Sequence, residues 1–112
     1  MTPEEVEDYI KAIRVKTTQG YYVDDLNSVY TALWHSDLNG ANSIFEVIKR
    51  HSDGDSESYY SQENRYMIIK FNGQFFKKTG YSDSWEGEDR WDGQLVEVMP
   101  YEIVTVEYKE KR

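Results

Sequence analysis

The chain contains no cysteine, only two histidines and only two prolines in 112 residues. The missing cysteines exclude disulfides, thiolate metal sites and thiol nucleophiles together, so packing must supply the stability. No stretch approaches the roughly 20 consecutive apolar residues of a membrane-spanning helix. The acidic start MTPEEVEDY lacks the basic and apolar regions of a secretory signal, which leads to the expectation of a cytoplasmic protein with no membrane partner. Cations are scarce as well. Thirteen Lys and Arg against 21 Asp and Glu leave a net charge of −8, which opposes direct nucleic-acid binding because phosphates call for neutralising cations. That charge suits solubility, or attraction to a basic surface on another protein.

What the chain does have is aromatic side chains: ten Tyr, four Phe and three Trp, enough to close the small core of a single domain spanning residues 1–112. Residues 1–40 read as helical. Thr2, Pro3 and Glu5 form a helix start with an N-cap, a proline in the first turn and a capping-box glutamate. Val6, Tyr9, Ile10 and Ile13 recur at helical spacing, Lys11, Arg14 and Lys16 follow toward the C-terminal end, and Gly20 is the expected stop. A second helix is expected from Asp24 and Asp25, with Leu26, Val29, Tyr30, Leu33 and Trp34 as its apolar stripe and Asn39-Gly40 at its end.

Residues 43–109 read as antiparallel sheet. SIFEVIKR (43–50) is the first expected strand, and the polar stretch 51–64 is expected to be a connection. RYMIIKF-NG-QFFKKTGY is a hairpin about a two-residue type I′ turn at Asn72-Gly73. Counting outward pairs Phe71 with Gln74, Ile69 with Phe76 and Met67 with Lys78, which puts Tyr66, Ile68, Lys70, Phe75, Lys77 and Thr79 on the other face. QLVEVM (94–99) and EIVTVEY (102–108) are the closing strands, with Val104 and Val106 expected in the core. The expected fold is α+β: two N-terminal helices packed on one face of a mainly antiparallel sheet of four to five strands.

Three places in the chain offer candidate chemistry. Residues 53–57 alternate oxygen donors, but a calcium loop counted from Asp53 has Ser58 where glycine is needed and Asn64 where a bidentate glutamate is needed. His35 and His51 have no second ligand at zinc spacing, so they read as a helix-end group and a strand-end group. Glu86, Glu88, Asp89 and Asp92 offer carboxylate pairs of the kind glycosidases use, yet without a nucleophile elbow, phosphate loop or dinucleotide fingerprint they read as solvated. The chain is therefore read as a non-enzyme with no metal and no cofactor. GYSDSWEGEDRWDGQ (80–94) remains as a partner-binding surface. Tyr81, Trp85 and Trp91 would be its anchors, and Asp83, Glu86, Glu88, Asp89 and Asp92 would steer a basic partner. The same residues equally fit an ordinary connection pinned by tryptophans packed beneath it.

The turn 80–87 (GYSDSWEG), the step Glu97-Val98-Met99-Pro100 and the run Val104, Val106, Tyr108 resemble features of a group of small, uncharacterised proteins of tailed bacteriophages. Those proteins share a GYxxS-aromatic-x-G turn, an EVxP step and a closing VxVxY strand. The resemblance covers the chain from Phe45 onward and implies a phage setting without a mechanism. Small acidic phage proteins often look like host-takeover or counter-defence factors, and by that analogy the expectation is an interaction protein, monomeric or homodimeric, that binds and modulates a host bacterial protein. The alternative is a minor virion component, with a metal-dependent or carboxylate-based enzyme as the third class.

Overall fold

The structure, a computed structural model, describes residues 1–13, 15–23, 25–37, 45–53, 62–83, 88–101 and 106–111; of residues 62, 83 and 88 it describes the backbone alone. The chain is α+β. Its elements in order are α1 (Pro3–Ala12), β1 (Val15–Lys16), β2 (Tyr22–Val23), α2 (Leu26–Trp34), β3 (Glu46–Asp53), β4 (Gln62–Phe71), β5 (Gln74–Asp83), β6 (Glu88–Arg90) and β7 (Val96–Val98). β1 and β2 form a two-stranded antiparallel sheet. The other five strands form a second antiparallel sheet in the order β3-β4-β5-β6, with β7 pairing β5 at a different height from β6.

α1 starts where the capping box places it. The Thr2 hydroxyl accepts from the Glu5 amide at 3.1 Å, and the Glu5 carboxylate accepts from the Thr2 amide at 3.0 Å. These bonds from Thr2 hold the Glu5 carboxyl below its ordinary pKa. The helix does not continue to Gly20. It ends at Ala12, and Ile13 takes an extended cap conformation. The chain then enters β1, where Val15 pairs with Val23 and its side chain is buried. An extended backbone sends this β-branched residue into the core, and that burial outweighs the helical continuation suggested by the cations around it.

α2 starts at the Asp25 N-cap, whose carboxylate accepts from the Ser28 amide at 2.8 Å. It ends at Trp34, short of the expected Asn39-Gly40, which lies outside the described residues. Ser36 turns the chain with φ 56°, and Arg50 of β3 donates to the Leu33 carbonyl at 2.9 Å and to the Ser36 hydroxyl at 2.7 Å. A cation from the sheet thereby satisfies a helix-end carbonyl, and the expected glycine stop is not needed.

The hairpin has the expected register: Phe71 pairs with Gln74, Ile69 with Phe76 and Met67 with Lys78. Asn72 and Gly73 have φ of 50° and 79°, the positive dihedrals of the type I′ turn. Both arms are longer than expected. His51, Ser52 and Asp53 pair with Tyr66, Arg65 and Asn64, so part of the expected connection at 51–64 is strand, and residues 54–61 lie outside the description. At the other end Val106 and Tyr108 are 69 % and 94 % exposed with no strand at 106–108, which corrects their expected place in a closing strand. Val104 lies outside the described residues.

One apolar cluster unites the elements. Val6 and Ile10 of α1, Val15, and Val29, Tyr30 and Leu33 of α2 share it with Met67, Ile69, Phe71 and Phe76 of the hairpin and with Trp91 and Leu95. Among the described residues no helix is long and apolar enough to cross a membrane.

Candidate functional site

The acidic aromatic stretch divides once it is folded. Residues up to 83 belong to β5 and residues 88–90 form β6, with Tyr81 opposite Arg90 and Ser82 opposite Asp89. Trp85 and Glu86 lie outside the described residues, as do the side chains of Asp83 and Glu88. Trp91 is buried, with its ring centroid 5.4 Å from that of Trp34 and 6.5 Å from that of Tyr30. The Trp91 amide donates to the Asn27 side chain at 2.8 Å, so α2 fixes its backbone as well. Trp91 is therefore a core residue, which corrects its expected role as a surface anchor: its indole area is already spent on helix–sheet packing.

Asp89 is corrected for a similar reason. Only 12 % of its side chain is exposed, and it receives Arg65 Nη1 at 2.7 Å and lies 2.9 Å from His35 Nε2. Arg65 itself sits over the Trp34 ring at 5.0 Å, and Asn27 donates to the Asp89 carbonyl at 2.9 Å. This carboxylate ties the end of α2 to the sheet and is not free to steer a partner. Asp89, His35 and Asn27 border an open polar cleft of about 610 Å³ that is also lined by Thr31 and Asp37. In this cleft His35 Nε2 meets the Asp89 carboxylate at the end of α2. No group of three or more His, Cys, Asp or Glu side chains among the described residues could hold a metal ion.

Tyr81 and Asp92 do come together. Both line an open depression of about 350 Å³ with Asp53, Asn64, Tyr66 and Thr79. Tyr66 also lines a second depression of about 500 Å³, and the strand register puts both depressions on the Tyr66 side of the sheet. The second depression is more apolar. Ile48, Ile68, Phe75, Val98 and Met99 line it, and Met99 and Tyr101 are 83 % and 82 % exposed at its rim. The β3–β4 register skips Ile48, which stands as a bulge residue between Val47 and Lys49, half exposed beside this surface.

Three lysines frame the apolar strip. Lys77 Nζ lies 4.4 Å from the Tyr66 ring centroid, Lys49 lies 5.8 Å from the same ring, and Lys70 lies 5.8 Å from the Phe75 ring. His51 stacks on Tyr66 at 4.9 Å. The hairpin pattern already contained the signal for this face: RYMIIKF and QFFKK carry apolar or aromatic residues at successive positions, which strands with one solvated face do not need.

No family model matches the chain, and no curated protein or solved structure matches it.

Proposed function

We propose that this protein works by holding another protein against the outer face of its sheet, with no catalytic step of its own. The supporting observation is the apolar strip of Ile48, Tyr66, Ile68, Phe75, Val98 and Met99, which the described residues leave open. Contiguous exposed apolar surface rimmed by polar groups is costly to keep in water and characteristic of interaction sites. In this reading both helices cover the Met67–Ile69 side of the sheet, which leaves the Tyr66–Ile68 side for the partner. The resemblance to phage proteins supplies the setting: the partner is a host bacterial protein whose activity the complex modulates. Tyr81 and Asp92 belong to the same surface, and Asp83, Trp85, Glu86 and Glu88, which lie between them in the sequence, are the groups that would meet a basic patch.

The test is site-specific photo-crosslinking in bacterial cells, with the reactive side chain placed at Ile68, at Met99 or, as a control, at Glu4 on α1. The expected result is one discrete adduct, formed from Ile68 and Met99 and absent from Glu4. Adducts from Glu4 alone, or from none of the three positions, would dismiss this face as the site. An adduct with a structural protein of the phage particle would reassign the chain to the virion.

A further inference from the structure

Resting on the reading of this face as a binding surface, we propose that its lysine-framed half takes a short acidic segment of polypeptide, with apolar side chains spaced between the carboxylates. The first argument concerns where the cations of this acidic chain find their anions. Arg65 is paired with Asp89, and Lys78 lies 3.4 Å from Glu7. Lys49, Lys70 and Lys77 instead form no ion pair with a carboxylate among the described residues, and each lies over an aromatic ring. In a molecule with a net charge of −8, three cations on one sheet face, of which Lys70 alone has a carboxylate, Glu46, opposite it in the strand register, make a local positive field that an anionic ligand would complete.

The second argument chooses between anions. Both Lys49 and Lys77 lie over the single ring of Tyr66, with Lys70 and Phe75 in the neighbouring row, so the cationic patch is compact. Glu46 and Asp53 at the two ends of β3 bound it with negative charge. A phosphate backbone needs a longer cationic track and free ring faces for its bases, whereas here lysines and His51 already cover Tyr66. Two or three carboxylates on a short segment match the patch, and the intervening apolar side chains match Ile48, Ile68 and Val98 beneath them.

The proposal is tested by titrating the isotope-labelled full chain, followed by amide NMR, with four probes. They are a ten-residue peptide alternating Glu with Leu and Phe, the same peptide with Gln for Glu, the same with Lys for Glu, and a single-stranded oligothymidylate. The acidic peptide is expected to shift the amides of Lys49, Ile68, Lys77 and Val98 and to weaken as salt is raised. In the K49E/K70E/K77E variant its affinity should fall about tenfold or more, while the Lys peptide gains. These lysines are surface groups, and an unchanged spectrum outside the face will show that the fold is intact. Equal binding of the Gln peptide to the same amides would overturn the acidic inference and leave the face as a protein-binding surface. No shift on this face with any peptide would overturn the acidic-segment inference, while the reading of the face as a protein-binding surface stands or falls by the crosslinks from Ile68 and Met99. Tighter binding of the oligothymidylate would replace the polypeptide with nucleic acid.

Discussion

Lys78 owes its position to register. Opposite Met67 in the hairpin it must point to the core side, where it is 5 % exposed. A buried ammonium group needs a counter-charge, because desolvation costs several kcal/mol that only a well-placed partner offsets. Glu7 of α1 provides it at 3.4 Å, Tyr30 presents its ring at 4.7 Å, and the Tyr30 hydroxyl donates to the same carboxylate at 3.0 Å. Removing one member should therefore cost more than removing the pair. With Glu7 still 22 % exposed, Glu7→Ala should cost about 2 kcal/mol, below the 3–5 kcal/mol of a fully buried pair, because it leaves Lys78 without an anion. In a Lys78→Met background the same change should cost about 1 kcal/mol or less, since no buried charge is left unpaired. Urea unfolding of the four proteins measures the coupling, and equal costs in the two backgrounds would show that the pair is not linked.

At the scale of elements, the readable features were those with local causes. The start of α1 is set by Thr2 and Glu5 three residues apart, and the hairpin register by Asn72-Gly73, so both follow from neighbouring residues. The end of α1 depends on Val15 meeting the distant core, and the end of α2 on Arg50 reaching back from β3, so neither is written near the boundary it sets. The candidate site divided in the same way. Tyr81 and Asp92 stay on the surface, but Trp91 and Asp89 are drawn inward by Tyr30, Trp34 and Arg65, residues far away in the sequence. A trace of that inversion existed in Gly80, since glycine inside a strand often marks the close approach of another group. A Cβ at Gly80 would lie 2.4 Å from the Arg90 carbonyl oxygen and 2.6 Å from the Trp91 ring. Gly80→Ala must therefore push β6 or Trp91 aside and should cost about 2–3 kcal/mol, in the range of core overpacking. Gly73→Ala, whose Cβ would meet nothing within 4 Å, should cost about 1 kcal/mol from its positive φ alone. Thermal unfolding of the two variants ranks them, and a Gly73→Ala loss equal to or above that of Gly80→Ala would contradict the packing of Trp91 against β5.

For the whole molecule, the coupling of Tyr30 to the core makes stability depend on pH at the alkaline end. Burial raises the Tyr30 pKa strongly, and the neighbouring Glu7 charge and its hydrogen bond raise it further, because each disfavours a phenolate. The unfolded chain loses this proton near the ordinary tyrosine value of about 10, while the folded chain keeps it. Above that pH the unfolded state thus binds fewer protons than the folded one. The Tyr30 contribution is complete below about pH 10 and is lost as pH rises toward the folded value, at about 1.4 kcal/mol per pH unit. The depressed Glu5 carboxyl acts at the other end: its contribution is present above the ordinary value of about 4.3 and is lost as pH falls through the folded one. Tyr30→Phe separates the alkaline effect from packing, since it keeps the ring against Trp91 and removes the ionisable hydroxyl. The variant should be less stable at pH 8, having lost the bond to Glu7, but its stability should fall less steeply between pH 10 and 11. Denaturant unfolding at half-unit pH steps, with tyrosinate absorbance recorded on the same samples, gives both slopes. Parallel curves for the two proteins would show that Tyr30 ionises in the folded state and that the Glu7–Tyr30–Lys78 cluster is open to solvent.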